Sequence, residues 1–136
     1  MEDRLLDLLS GAHQGVLATI KRDGRPQLSN VGYDFADGVI RISITDGRAK
    51  TANLRRDPRA SFHVSAPNFR GYVVAEGRAE LTPVTTTPDD ATADELVAVY
   101  RAIAGEHPDW DEFRAAMIDE GRLVCRIPVD RVYGMA

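Results

Sequence analysis

The run GVLATIKRDGRPQLSNVGYDFADGVIRISI, residues 15–44, decides the fold. Three strand-like segments are separated by Asp23-Gly24 and Asp37-Gly38, pairs that are typical of tight turns between antiparallel strands. The last segment alternates isoleucine with other residues, as a strand with one buried face does. We therefore predict that the sheet begins with a three-stranded meander. Its predicted strands span residues 15–20, 28–35 and 39–44.

The rest of the chain adds strands and short helices. Gly77 interrupts a strand pattern and indicates a β-bulge or a close backbone approach. Helices are predicted before Gly11, after the third strand and as a pair before the last two strands, and Thr92-Ala93-Asp94-Glu95 has the form of a capping box. We expect one mainly β (α+β) domain over residues 1–136, a small barrel with flanking helices. The further strands are predicted at 60–66, 72–81, 122–127 and 129–135.

Charge and composition restrict the ligand class. The 136 residues contain no apolar run of about eighteen residues, so we expect no membrane span. Residues 41–59 hold six basic side chains against two acidic ones, whereas the rest of the chain carries a net charge of −8. One basic island in an acidic protein favours a small anionic ligand over nucleic acid. A lone cysteine, Cys125, and acidic first residues unlike a secretory signal lead us to expect a cytoplasmic protein.

The basic island is centred on residues 46–58, DGRAKTANLRRDP, which predict a turn and a short helix that ends before Pro58. Arg48 and Lys50 fall in its first turn, where the free N–H groups disfavour a cation by about 0.3–1 kcal/mol. An anion bound there would remove the conflict, which makes the segment a candidate phosphate site. A solvated basic turn is the alternative, and this segment alone does not decide between the two.

The second predicted strand has polar side chains on both faces. Gln27 and Ser29 share one face, and Asn30 lies on the other. Exposure of one face to solvent would account for Gln27 and Ser29 but not for Asn30. Polar groups that are buried need hydrogen-bond partners. A ligand with many polar atoms, lying against this strand, would satisfy them.

Familiar catalytic motifs are missing. The sequence has no G-x-S-x-G elbow, no P-loop lysine motif and no G-x-G-x-x-G fingerprint. His13, His63 and His107 lack metal-ligand spacing, and no carboxylate pair stands out as acid and base. We therefore name no catalytic residue and no metal ligand, and infer that a bound cofactor would carry any chemistry.

Several motifs together resemble the pyridoxamine 5'-phosphate oxidase-like split β-barrel family, and more narrowly its actinobacterial branch that uses the deazaflavin coenzyme F-420. The resemblance implies a six- to seven-stranded antiparallel split β-barrel of the flavin-reductase type. It also implies a homodimer with two cofactor sites at the subunit interface. The motifs are GVLATI at 15–20, DGRPQLSN at 23–30 and RAKTANLRRDPR at 48–59, with shorter matches at 74–77, 104–107 and 132–134.

The same resemblance implies roles for individual residues. Arg48 and Lys50 occupy the positions of the arginine and lysine that hold the cofactor phosphate in the family. Ala49 and Thr51 would supply backbone N–H and hydroxyl donors, with Asn53 nearby. The remaining implied contacts are Gln27, Ser29, Asn30 and the backbone near Ser43 along the ring, with Tyr72 from the second subunit.

The reaction implied by the resemblance is hydride transfer from reduced F-420 to a small organic acceptor such as a quinone, a tetrapyrrole or another conjugated carbonyl. Two alternatives stay open. The cofactor would be flavin mononucleotide (FMN) in an oxidoreductase of the same fold, or the protein would bind a flavin-type cofactor without turnover.

Overall fold

An antiparallel sheet curls around the main apolar core in the computed structural model, which describes residues 2–136. Four helices flank the sheet: α1 (Glu2–Ser10), α2 (Ala49–Arg56), α3 (Ala91–Ala104) and α4 (Trp110–Asp119). The strands are β1 (Gln14–Ile20), β2 (Pro26–Gly32), β3 (Asp34–Ala36), β4 (Val39–Thr45), β5 (Arg59–Ser65), β6 (Tyr72–Arg78), β7 (Glu80–Leu81) and β8 (Arg122–Met135).

Seven of these strands follow one path, in the order β2-β1-β5-β6-β8-β4-β3, and the short β7 pairs with β8. The predicted α+β fold, an antiparallel split β-barrel with flanking helices, is confirmed. The long strand β8 joins the two halves, because its first half pairs with β4 and its second half with β6. The change of partner falls at Pro128, which has no N–H to donate to a ladder.

The predicted meander is wrong. Both tight turns form, so β1 pairs with β2 and β3 pairs with β4, but the predicted strand 28–35 is broken at Tyr33. As a result β2 and β3 lie at opposite ends of the sheet order. Tyr33 causes the break, since its ring is fully buried in the core, its hydroxyl donates to the Leu9 carbonyl oxygen and its N–H donates to the His13 carbonyl oxygen.

The irregularity predicted at Gly77 is confirmed. The register between β6 and β8 shifts between Glu76 and Gly77, and a Cβ at Gly77 would lie 2.2 Å from the Pro128 carbonyl oxygen. Beyond this bulge the predicted strand 72–81 divides into β6 and β7.

The capping box predicted for α3 does not form. Asp90 is the N-cap residue, and its carboxylate accepts the Ala93 N–H at 2.8 Å. The Thr92 hydroxyl donates instead to the Pro83 carbonyl oxygen at 2.8 Å. Asp90 also accepts N–H groups from the preceding loop, which gives it more partners than Thr92 could have at the same place.

Two clusters of apolar side chains hold the layers together. The larger one fills the inside of the curled sheet and includes Leu5 and Leu9 of α1. The smaller one joins α3 and α4 to β8 through Leu96, Phe113 and Val124. The aromatic residues of the helical pair therefore belong largely to this second core. Cys125 is fully buried in the larger cluster, and burial raises the pKa of its thiol to about 12.

Candidate functional site

Helix α2 begins where the chain leaves β4, and its start is open to an anion. Arg48 is the extended N-cap residue, and its own N–H donates to the Thr45 carbonyl oxygen at 3.2 Å. The N–H groups of Ala49, Lys50 and Thr51 have no acceptor among the described residues, and the first turn contains no acidic side chain. Such a terminus is partly positive and suits a phosphate or carboxylate.

The helix ends as predicted. Asp57 is extended, its N–H donates to the Asn53 carbonyl oxygen, and Pro58 follows. Arg55 in the last turn is paired with Asp46 at 2.6 Å. The cations of α2 therefore have different surroundings, since Arg48 and Lys50 form no ion pair with any residue that the structure describes.

A cavity of about 370 Å³ lies against the start of α2, and we call it the basic cavity. Its lining includes three cationic side chains and no acidic one. It is bounded by β2, by the end of β4, by the start of α2 and by the first residue of β8. The lining residues that matter below are Asn30, Gly32, Ser43, Arg48, Lys50 and Arg122.

The electrostatics of the basic cavity favour a negatively charged group. Burial lowers the pKa of Lys50, and the positive charges of Arg48 and Arg122 lower it further. The fold thus disfavours the Lys50 ammonium charge unless an anion accompanies it. A phosphate would supply that counter-charge, and it would also accept the N–H groups at the start of α2.

Arg122 is the cavity residue that sequence reasoning missed. Strand pairing places it opposite Thr45, at the end of β4, so it reaches the same turn as Arg48. Its guanidinium donates to Glu120 at 2.9 Å and lies 3.4 Å from the Ser43 hydroxyl. The residues around Arg122 in the sequence do not indicate a place in the cavity, because only the pairing of β8 with β4 brings Arg122 to α2.

Six of the ten predicted site residues lie outside the lining of the basic cavity, and three of these six, Gln27, Ser29 and Asn53, belong to one chain of hydrogen bonds. Arg56 donates to the Asn53 side chain at 2.9 Å, and Asn53 donates to the Thr19 hydroxyl at 3.1 Å. Thr19 donates to Gln27 at 3.2 Å, and Gln27 donates to Ser29 at 3.1 Å. These side chains therefore satisfy one another, and their contact with a cofactor ring stays a prediction.

Thr51 is fully buried, and its hydroxyl donates to the Thr45 carbonyl oxygen at 2.6 Å. The Thr51 hydroxyl, the expected donor to a phosphate, thus already donates within the turn between β4 and α2. What Thr51 can still offer an anion is its backbone N–H, in the same way as Ala49 and Lys50.

Asn30 connects the basic cavity to a second cavity of about 550 Å³, which we call the β2 cavity. The end of β2, residues 30–32, lines both. As predicted, Asn30 lies on the face opposite Gln27 and Ser29, since it pairs with Val16 of the outer sheet face. His63 also lines the β2 cavity, and its ring stacks on that of Tyr72 at 5.6 Å between centroids. Tyr72 thus lies beside the β2 cavity, next to His63, and is not part of its lining.

An apolar groove of about 420 Å³ lies between α3 and α4 and meets the basic cavity at Ser43 and Arg122. Its lining includes the rings of Tyr100 and Phe113. The three cavities together offer a charged place for a phosphate beside two larger spaces for the uncharged parts of a ligand.

Two kinds of feature are absent from the described residues. No three His, Cys, Asp or Glu side chains are grouped so that they could hold a metal ion. No helix in residues 2–136 has both the length and the apolar character that crossing a membrane requires.

Comparison with known proteins agrees with this architecture. A conserved hypothetical protein from Mycobacterium tuberculosis is 27% identical, with a TM-score of 0.77 over 99% of this chain and 84% of that one. An F-420 reductase is 23% identical (TM-score 0.67, 93% of this chain and 94% of that one). An FAD-binding protein from Mesorhizobium loti is 21% identical (TM-score 0.68, 98% and 91%).

The family model described as pyridoxamine 5'-phosphate oxidase matches residues 1–136, the whole chain. The curled antiparallel sheet and its flanking helices form the flavin-binding fold of that family, which includes oxidoreductases. The chain therefore belongs to the pyridoxamine 5'-phosphate oxidase family.

Proposed function

We propose that this protein is an oxidoreductase that transfers a hydride from reduced coenzyme F-420 to an organic acceptor. The observation that carries the proposal is the basic cavity, where Arg48, Lys50 and Arg122 surround one space that has no acidic lining residue. A split barrel of this family with such a cavity has a place for a phosphate-bearing cofactor. The sequence motifs at 15–20, 23–30 and 48–59 favour the deazaflavin branch.

In this proposal Arg48 and Lys50 bind the cofactor phosphate together with the N–H groups at the start of α2. Asn30 lies at the junction of the basic cavity and the β2 cavity, so it is placed to orient the ring by hydrogen bonds. The reduced deazaflavin, when bound, supplies the hydride. The protein fixes the distance and the face from which an acceptor approaches. Quinones, tetrapyrroles and other conjugated carbonyls are the acceptor classes to test.

We further propose that the protein is a homodimer whose subunits meet at the outer face of the sheet. Large apolar side chains are exposed on that face: Leu28, Tyr133 and Met135 have 64%, 44% and 61% of their surface exposed. The strand register places Tyr133 opposite Val74 and Met135 opposite Tyr72. A second subunit seated here would cover this apolar surface and lie next to Asn30 and Tyr72. Light scattering of the purified protein should give twice the chain mass, and Tyr133→Glu should shift it to the monomer.

FMN is the second candidate cofactor. Three cations around one cavity suit the doubly charged phosphate of FMN at least as well as a phosphodiester. A non-catalytic role in binding such a cofactor is the third candidate, since the described residues suggest no acid or base of their own.

Parallel titrations distinguish the first two candidates. Purified protein is titrated with F-420 and with FMN, and binding is followed by cofactor fluorescence. Tighter binding of F-420 supports the proposal, whereas tight FMN binding without any response to F-420 overturns it. A catalytic role is tested by following the oxidation of reduced F-420 in the presence of quinones and biliverdin. Failure of every acceptor class, with F-420 bound, would favour the binding role.

A further inference from the structure

Arg122 reaches the basic cavity from the far end of the sequence and is held there from two sides. One side of its guanidinium donates to a single carboxylate oxygen of Glu120, through Nε at 3.0 Å and Nη2 at 2.9 Å. The other side, Nη1, points at the Ser43 hydroxyl and carbonyl oxygens at 3.4 and 3.5 Å. The contacts with Ser43 are long, so Nη1 can still donate to a stronger acceptor.

The charges around the cavity do not balance without a ligand. Arg48, Lys50 and Arg122 bring three positive charges, and Glu120 offsets one of them through its pair with Arg122. Two positive charges are left uncompensated, since no acidic side chain lines the cavity. A single negative charge would compensate one cation and leave the other beside it. Two negative charges would compensate both.

We propose that Arg122 is the third cation of this anion site and that the site holds a ligand with two negative charges close together. The three cations hold both charges together, Arg48 and Lys50 from the start of α2 and Arg122 from the side of β8. A doubly ionised phosphomonoester has this charge, and so does a phosphodiester beside a carboxylate. The inference rests on the proposed function, because it assumes that the basic cavity binds the cofactor phosphate.

The proposal is tested by pairing variants of the protein with ligands that do or do not carry a phosphate. The ligand pairs are FMN with riboflavin, and F-420 with its dephosphorylated deazaflavin riboside. Arg122→Gln should weaken binding of the phosphate-bearing member by about 10- to 150-fold, as for loss of a hydrogen bond between charged groups. Binding of the uncharged member should stay within about twofold, because no charged contact is removed.

Two further variants separate a charge effect from a structural one. Arg122→Lys keeps the charge and should recover a large part of the affinity for the phosphate-bearing ligands. Arg126→Gln removes another β8 arginine, which pairs with Glu95 outside the cavity, and should leave all four affinities unchanged. Loss of affinity in Arg122→Gln for FMN points to the phosphomonoester, and loss for F-420 alone points to the phosphodiester with a carboxylate.

The outcomes that overturn the inference differ from those that overturn the proposed function. If Lys50→Gln weakens phosphate-dependent binding and Arg122→Gln does not, Arg122 is not part of the site, although the cavity still is. Equal loss for ligands with and without phosphate would make Arg122 a structural residue. If neither variant changes the phosphate-dependent affinity, the basic cavity is not the phosphate site and the proposed function fails with it.

Discussion

Replacing Lys50 with glutamine should make the protein more stable without cofactor and weaken cofactor binding at the same time. Lys50 lies half-buried in the first turn of α2, next to free N–H groups and two arginines. A cation at such a helix start costs about 0.3–1 kcal/mol. Its removal should raise the melting temperature by about 1–4 °C for a chain of this size.

The effect on binding has the opposite sign. The Lys50 ammonium group donates a charged hydrogen bond to the anion in our proposal, a contact worth about 1.5–3 kcal/mol. Lys50→Gln should therefore raise the dissociation constant for F-420 by about 10- to 150-fold. Differential scanning fluorimetry measures the first effect, and titration of cofactor fluorescence measures the second.

The pH dependence of stability tests independently whether the charge of Lys50 causes the destabilisation. Burial and the neighbouring arginines lower the pKa of Lys50 from its ordinary value of 10.5, so the folded protein holds this proton less firmly than the unfolded chain. The destabilisation of the folded protein by the Lys50 charge is fully present below the lowered pKa, and it disappears as the pH rises through that pKa towards 10.5. The stability advantage of Lys50→Gln should therefore shrink at alkaline pH.

Arg55→Gln is the matched control, since Arg55 belongs to the same helix but pairs with Asp46 in the last turn. Cations near a helix C-terminus are favourable, so this variant should be equally or slightly less stable. Its affinity for the cofactor should be that of the parent protein. A well-folded Lys50→Gln variant with a lower melting temperature, or with unchanged affinity, would refute the reasoning.

Three further variants test the scaffold. Asp90→Ala removes the N-cap of α3 and should cost about 0.5–2 kcal/mol in urea unfolding at neutral pH. Although burial opposes ionisation, N–H donors from Thr86, Ala93 and Thr87 hold the Asp90 pKa at about 2, so the cost should fade as the pH drops from 3.8 towards 2. Gly77→Ala places a Cβ about 2.2 Å from the Pro128 carbonyl oxygen and should cost about 1–3 kcal/mol by the same measurement, whereas an unchanged midpoint would show that the bulge relaxes freely. Thr19→Val leaves Asn53 without its acceptor and should cost about 1–3 kcal/mol, with the phosphate-dependent part of cofactor binding unchanged.

Local features were predictable from the sequence because local chemistry determines them. The turns at Asp23-Gly24 and Asp37-Gly38 form, α2 ends before Pro58, and Gly77 marks a bulge. Each depends on the conformational limits of one or two residues. Arg48 and Lys50 fall into the same class, since a basic helix start is visible in a short segment.

The features that sequence reasoning missed depend on what lies nearby in space. Asp90 displaces Thr92 as the cap because the loop before α3 folds back onto its carboxylate. Gln27 and Ser29 already have a hydrogen-bond partner without a ligand, because Thr19 of β1 donates to Gln27 and Gln27 donates to Ser29. Arg122 enters the basic cavity only through the register of β8 on β4. The partners of Gln27 and Arg122 cannot be found by inspecting one segment at a time, whereas the N–H donors to Asp90 lie within four residues of it.

The one error in topology and the candidate site have a common cause. In the predicted meander β2 would pair with β4, and ladder hydrogen bonds would hold the two backbones about 4.8 Å apart. The burial of Tyr33 breaks the strand instead, so β2 and β4 approach each other without pairing. Asn30 and Gly32 then face Ser43 across the basic cavity instead of across a ladder. The basic cavity lies where the barrel is split, and the cations of α2 and β8 line that opening.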